Sequence, residues 1–277
     1  MNSNNKNSPK VSIIMPVFNE EDTLKKTIKS VLRQSYKNFE FIIFDDCSRD
    51  NTYNILKKFK KKDSRIKIYK NKKNIGITKT LNKALKITKG RFIARIDGND
   101  WWKSSKLRKQ VIFLKKNPEY IIVGTNSISC NSYTKEKIKC FEPERDSQIR
   151  KYLLKGPPFV HSSIVFRKPK LKYNNNYETS QDYDLYFKLL KKGRGYNLQD
   201  FLTYRITHKK NSISLEKWKT IKKNGIEIRK NVFKNYPHSL FDYRYFLPDL
   251  ITYLLPKNLK KWKNEIKKFI FFKKKRK

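Results

Sequence analysis

Cysteine is scarce: the 277 residues hold three, Cys47, Cys130 and Cys140. An odd count with no metal-motif spacing argues against a disulfide-built scaffold or a cysteine zinc site, and reduced thiols are expected. Long apolar runs are missing as well. No stretch reaches the roughly 18–20 residues that a membrane-spanning helix needs. Met1–Lys10 is polar and Asn-rich, without the apolar centre of a signal peptide. Internal repeats are absent. Acids are few: 24 Asp and Glu face 67 Lys and Arg, a formal net charge of +43.

That charge has two readings. One is a polyanionic partner, nucleic acid or an anionic membrane face. The other is compositional drift, because Lys and Asn also fill stretches with no other signal, such as Lys57–Lys62 and Asn174–Asn176. Charge alone therefore does not choose the function. A 37% apolar fraction with 18 Phe and 16 Tyr excludes a disordered chain. The length suits one large α/β domain or two small ones.

The chain opens on Val11–Met15, a short apolar run closed by Pro16 and read as a buried strand. Leu24, Ile28, Val31 and Leu32 then recur at helical spacing, with acids at the helix start. Phe39–Phe44 is a second strand, ending on Asp45-Asp46. Ile55, Leu56 and Phe59 mark a helix, Ile66–Tyr69 a strand, and Leu81, Ala84 and Leu85 a helix stopped by Gly90. Phe92–Ile96 ends on Asp97-Gly98-Asn99-Asp100. This alternation predicts a parallel α/β sheet, whose ligands bind outside the carboxyl ends of the strands. Glu20, Asp45-Asp46 and Asp97–Asp100 should therefore share one rim, where their repulsion calls for a cation or for donors. Further on, Leu107–Leu114 and Gln181–Lys192 read as helices, and Tyr120–Val123, Val160–Phe166 and Leu202–Ile206 as strands. Arg244–Phe272 mixes lysines with Phe, Leu and Trp262. It suits an amphipathic segment on an anionic membrane, or a helix packed on the domain with its lysines in water.

Val11–Glu20, Thr27–Tyr36 and Phe41–Ser48 resemble the opening of the family 2 glycosyltransferases. Ala94-Arg95-Ile96-Asp97-Gly98-Asn99-Asp100 is similar to that family's Ala-Arg-Met-Asp-Ala-Asp-Asp stretch, and Gln181–Tyr186 to its Glu-Asp-Tyr-Asp-Leu-Trp. Tyr204–His208 with Asn211–Ser214 resembles the end of its catalytic region. The resemblance spans Val11 to about Ser214. It implies the GT-A fold, a mostly parallel twisted sheet between helices with a Rossmann-like nucleotide half, and inversion at the anomeric carbon. The expected division is 1–9 disordered, 10–105 nucleotide half, 106–215 acceptor half, and 216–277 a basic, aromatic helical segment.

The site residues follow from the resemblance. Pro16, Phe18, Glu20, Asn74, Gly76, Arg95 and Asp97 would line the nucleotide-sugar. Asp45-Asp46 would read the base, and a carboxylate accepting the uracil imide N–H favours a uridine donor. Asp97, Asn99, Asp100 and His208 would hold Mg²⁺ or Mn²⁺, which stabilises the departing diphosphate. Asn99 stands where the family usually has an acid, and Gln181 where it has Glu. Asp182 would be the general base. His161 is reminiscent of the acceptor half, as packing or an acceptor contact, and Trp101-Trp102 reads as core or as a sugar-stacking pair. The implied partners are a nucleotide-sugar donor, a glycan or lipid-linked acceptor of surface polysaccharide and an anionic membrane surface, for a cytoplasmic protein without a specific nucleic acid. The competing readings are a member that has lost catalysis and a basic nucleic-acid- or membrane-binding protein.

Overall fold

The computed structural model describes residues 11–168, 170–207, 218–247 and 250. The N-terminal stretch expected to be disordered, His208 and most of Arg244–Phe272 lie outside them. Strands β1 (Val11–Val17), β2 (Phe39–Asp45), β3 (Ile66–Lys70) and β4 (Phe92–Arg95) alternate with helices α1 (Glu21–Leu32), α2 (Thr52–Lys60) and α3 (Ile77–Ile87). β5 (Trp101–Trp102), α4 (Lys106–Lys116), β6 (Tyr120–Asn131), β7 (Lys137–Cys140) and α5 (Asp146–Leu153) follow. Then come a 3-10 turn at His161–Ser163, β8 (Val165–Arg167), α6 (Gln181–Leu190), β9 (Arg194–Thr207), α7 (Trp218–Asn235) and a second 3-10 helix at Leu240–Tyr245.

All the strands join one sheet in the order β3-β2-β1-β4-β8-β6-β9-β5, with β7 added on β6. The first four are mutually parallel. β8 is antiparallel to both β4 and β6, whereas β6 and β9 run parallel. This is the mostly parallel sheet expected. β1 and β2 are buried along their whole length, as strands covered on both faces must be. Ile14, Ile42 and Ile93 point into a core shared with α3, α5, α6 and α7. Ile13, Met15, Phe41 and Ile43 point into the opposite core, under α1, α2 and α4. Ile228 and Val232 of α7 lie in the first core, so the part of the C-terminal segment seen here packs on the domain. Among the described residues no helix is long and apolar enough to cross a membrane. The three cysteines are free thiols.

Some expected elements change. Val160–Phe166 is not one strand, because the 3-10 turn occupies its first half. β6 and β9 run well beyond their apolar runs. Their polar positions are satisfied across the pair, as in Thr125–Thr203 at 3.2 Å and Ser129–Thr207 at 3.1 Å between hydroxyls. Gly90 does not cap α3. The chain turns extended at Thr88 (φ −63°, ψ 138°), and the Gly90 N–H donates to Ser12 Oγ at 2.8 Å. Trp102 is core, its indole N–H donating to the Ser162 carbonyl at 2.7 Å. Trp101 stacks on Tyr204 with centroids 5.3 Å apart.

Candidate active site

Strand order places the carboxyl ends of β2, β1 and β4 side by side, and the loops that follow them are laced together. The Asp46 N–H donates to the Val17 carbonyl at 2.8 Å. The Asn19 N–H donates to Ser48 Oγ at 3.0 Å, and the Glu20 N–H to Thr52 Oγ1 at 2.8 Å. Pro16 closes β1 inside the sheet, and Phe18 is 41% exposed at its mouth. The Glu20 side chain accepts from Thr23, whose hydroxyl also donates to the Gly98 carbonyl. A Cβ on Gly98 would stand 3.0 Å from Glu20 Cγ and from Val17 Cγ1, so the β4 loop packs tightly on the end of β1.

The acidic pair after β2 divides its work. Asp46 accepts from Asn71 Nδ2 and from the Ile75 and Gly76 N–H groups, at 2.8–3.0 Å. It thereby anchors the Asn74–Gly76 loop, where Asn74 Oδ1 also accepts from the Gly76 N–H and Gly76 sits at φ +85°. Asp45 Oδ1 accepts from Ser48, while its buried Oδ2 has no hydrogen bond and lies 3.9 Å from Lys70 Nζ.

Beyond β4 the chain builds a charged knot. Arg95 is 1% exposed, and its guanidinium forks onto both oxygens of Asp97, which is 37% exposed. Ser162, from the 3-10 turn, accepts from the Asp97 N–H at 3.0 Å and donates to its carboxylate at 3.2 Å. Asp100 is buried and accepts from the Ile206 N–H at 3.1 Å. Burial, reinforced by the charge of Asp97, pushes its carboxyl up to about 7. Asn99 is half-buried in the turn between them. Asp182, at the start of α6, accepts from the Tyr183 N–H at 2.9 Å. Burial raises its carboxyl, the Tyr183 N–H and the field of Arg95 oppose that rise, and Asp97 adds to it. Arg95 is thus the central cation among Asp97, Asp100 and Asp182.

The knot also gathers groups to which the sequence assigned no chemistry. His161 Nε2 lies 2.9 Å from the Tyr173 hydroxyl, and its ring packs edge-on against Tyr186 at 6.2 Å. Burial, with the nearby Arg95, holds this imidazole neutral by lowering its pKa well below the ordinary value. Tyr186 is fully buried, and its hydroxyl has no hydrogen-bond partner. The sequence signals for this group were Phe-Val-His-Ser-Ser, which contains His161 and Ser162, and the Gln181–Tyr186 stretch, which ends on Tyr186. Tyr173 had none, since a lone Tyr carries no spacing.

Asp97 and Asp100 test the fit of a divalent cation. Two hard-oxygen donors whose mutual repulsion helps raise Asp100 suit such an ion. Among the described residues no group of three or more His, Cys, Asp or Glu could hold a metal. Both Asp97 oxygens face the Arg95 guanidinium, so an ion here would have to share them with Arg95.

Comparison with known proteins gives the family and the fold. A family model described as glycosyl transferase family 2 matches residues 12–174. The chain is 33% identical over 256 residues to EpsE of Bacillus subtilis (strain 168), a protein named as a glycosyltransferase, with 90% of each chain covered. It is 34% identical over 215 residues to WfaP of Escherichia coli, covering 76% of this chain and 82% of that one. WfaP is named a UDP-Glc:alpha-D-GlcNAc-diphosphoundecaprenol beta-1,3-glucosyltransferase. Among solved structures, Staphylococcus aureus TarS residues 1–349 with UDP-GlcNAc superposes with a TM-score of 0.68 at 17% identity. That match covers 92% of this chain and 79% of the 1–349 chain, and it shows the GT-A fold.

Proposed function

The chain belongs to glycosyl transferase family 2 and is a glycosyltransferase, and from that premise we propose that it moves a sugar from a UDP-sugar to an acceptor hydroxyl with inversion. The observation that carries this reading is the convergence of Asp97, Asp100 and Asp182 on one buried arginine beside the ends of β1 and β2. In it, the loops after β1 and β2 and the Asn74–Gly76 loop hold the nucleotide. Asp45 Oδ2, the acceptor left without a donor, supports its recognition of an N–H on the base.

Asp97 and Asp100, with Asn99 between them, would hold the divalent ion. When bound, that ion neutralises charge growing on the departing diphosphate. Asp182 takes the proton from the acceptor hydroxyl as that oxygen attacks the anomeric carbon. Its raised pKa makes it a better base than an exposed aspartate. The charge of Arg95 opposes that rise, and its guanidinium holds Asp97 in one orientation. Residues 10–105 form the nucleotide half and 106–215 the acceptor half. WfaP's lipid-linked acceptor supports an undecaprenol-type acceptor and surface-glycan synthesis at the cytosolic membrane face.

Thermal unfolding with UDP, GDP or CDP, each with and without Mn²⁺, tests the donor site. A ligand that binds only the folded state raises Tm by mass action. UDP should raise Tm most, and more with Mn²⁺. No shift with any nucleotide would remove the donor site as drawn.

A further inference from the structure

Large apolar side chains are exposed at eleven described positions; Leu240, Phe241, Tyr243 and Leu247 form one group near the C-terminal 3-10 helix, and three others fall within nine residues of β6–β7. Tyr133 is 58% exposed, Ile138 54% and Phe141 72%. Tyr133 and Ile138 belong to the β6–β7 hairpin, whose register pairs Cys130 with Lys137 and Ser127 with Cys140, and Phe141 follows β7 directly, its ring edge-on to Phe201 at 5.1 Å. Lys135, Lys137 and Lys139 accompany them and are exposed as well, against a single acid, Glu136. Aromatic and aliphatic tips ringed by lysines fit a surface whose outer layer is anionic and whose interior is apolar.

Position joins this hairpin to the chemistry. It grows from β6 where β6 pairs with β9 (Cys130 with Ile206, Asn131 with Thr207). The same Ile206 donates its N–H to Asp100. The Ser132 N–H then donates to the Thr207 carbonyl at 3.1 Å. The hairpin is therefore tied to the end of β9 whose Ile206 N–H reaches Asp100.

We propose that the β6–β7 hairpin docks the protein on an anionic lipid bilayer, its apolar tips entering the headgroup layer, so that the candidate active site opens toward that surface. The occupant follows from charge. A formal charge of +43 repels a second copy of this chain. Nucleic acid would take the lysines but offers no apolar phase for Ile138. An anionic bilayer takes both. The proposal rests on the membrane part of the function proposed above and names the surface responsible.

Vesicle flotation of the full chain tests it, with phosphatidylglycerol-containing and pure phosphatidylcholine vesicles at about 0.15 M salt. The wild type should float with the anionic vesicles only. The variant Tyr133→Ser/Ile138→Ser/Phe141→Ser should lose on the order of tenfold in partitioning, with its melting temperature unchanged. Ile138→Trp should gain several-fold, and a gain cannot come from misfolding. Anionic binding that neither variant alters would overturn the hairpin while leaving a membrane role to other residues. No binding of the wild type to either vesicle would sink both.

Discussion

Asp100 is a carboxylate whose folded environment works against its charge. Its pKa is raised to about 7 from an ordinary 3.8, so the native state binds a proton that the unfolded chain has already lost. By linkage its contribution to stability is present below about 4 and is lost as pH rises toward 7. Without ligand, the wild type should therefore lose stability relative to Asp100→Asn over that window, as read by paired thermal melts. An Asp100→Asn curve parallel to the wild type would contradict the buried-charge reading. With nucleotide and Mn²⁺ the sign reverses, because the ion needs the ionised carboxylate: ligand-induced stabilisation should grow from pH 5 to 7.5.

Lys106 has the opposite sign. It is fully buried, its Nζ donating to Gln110 Oε1 at 2.8 Å and lying 4.0 Å from the Trp102 ring centre. Burial lowers its pKa well below the ordinary value. The unfolded chain then binds more protons than the native state, so this residue makes stability rise with pH until the unfolded lysine titrates. Lys106→Met should remove that slope and leave stability at pH 7 equal or higher, as denaturant melts at pH 7 and 9.5 would show. Strain gathers nearby. Asn19 (φ 53°), Cys47 (φ 66°) and Ser180 (φ 60°) are left-handed without being glycine. They sit after β1, after β2 and just before α6. Such residues cost about 1 kcal/mol or more each and concentrate at functional turns.

Elements explain why these residues meet. β1, β2 and β4 were legible because apolar runs buried on both faces stand out from a lysine-rich background. Their acidic ends were legible because each run stops abruptly at a carboxylate or at the loop before one. The acceptor half was less so. β6 and β9 carry Thr125, Asn126, Ser127, Asn197 and Thr203 in buried positions, and hydrogen bonds across the pair replace hydrophobic patterning there. The 3-10 turn at His161–Ser163 read as strand, since its flanks are Val160 and Ile164. Arg95 read as a donor contact, yet its guanidinium is bound to Asp97 inside the protein, and burial of that kind leaves no mark on a sequence. At this scale Gly98→Ala is informative. The added Cβ, 3.0 Å from Glu20 Cγ and Val17 Cγ1, requires the Glu20 side chain or the β4 loop to give by a few tenths of an ångström. The expected cost is below about 1 kcal/mol, with weaker UDP stabilisation if the loop is what moves. Gly98→Ala with wild-type Tm and UDP response would show that the loops have room to spare.

For the whole molecule, one continuous sheet carries both the loops assigned to the nucleotide and the helix that bears Asp182, so donor and base are set by a shared frame. The frame explains how distant sequence segments (Val11–Glu20, Asp45-Asp46, Asp97–Asp100 and Gln181-Asp182) form one rim. The extreme charge does not enter that frame. Apart from the buried Arg95, Lys106 and Arg229, the proposal made above gives the excess of cations a use at a bilayer rather than in the reaction. The most direct test of the central claim compares the wild type with Asp182→Asn for transfer from a panel of UDP-sugars to a diphospholipid-linked GlcNAc acceptor. UDP-induced stabilisation is measured alongside. The predicted result is a loss of about 10²–10⁴-fold in turnover with UDP stabilisation unchanged, and a wild-type acid limb lying above the ordinary aspartate range, as burial of Asp182 requires. Wild-type turnover by Asp182→Asn would contradict its assignment as the base.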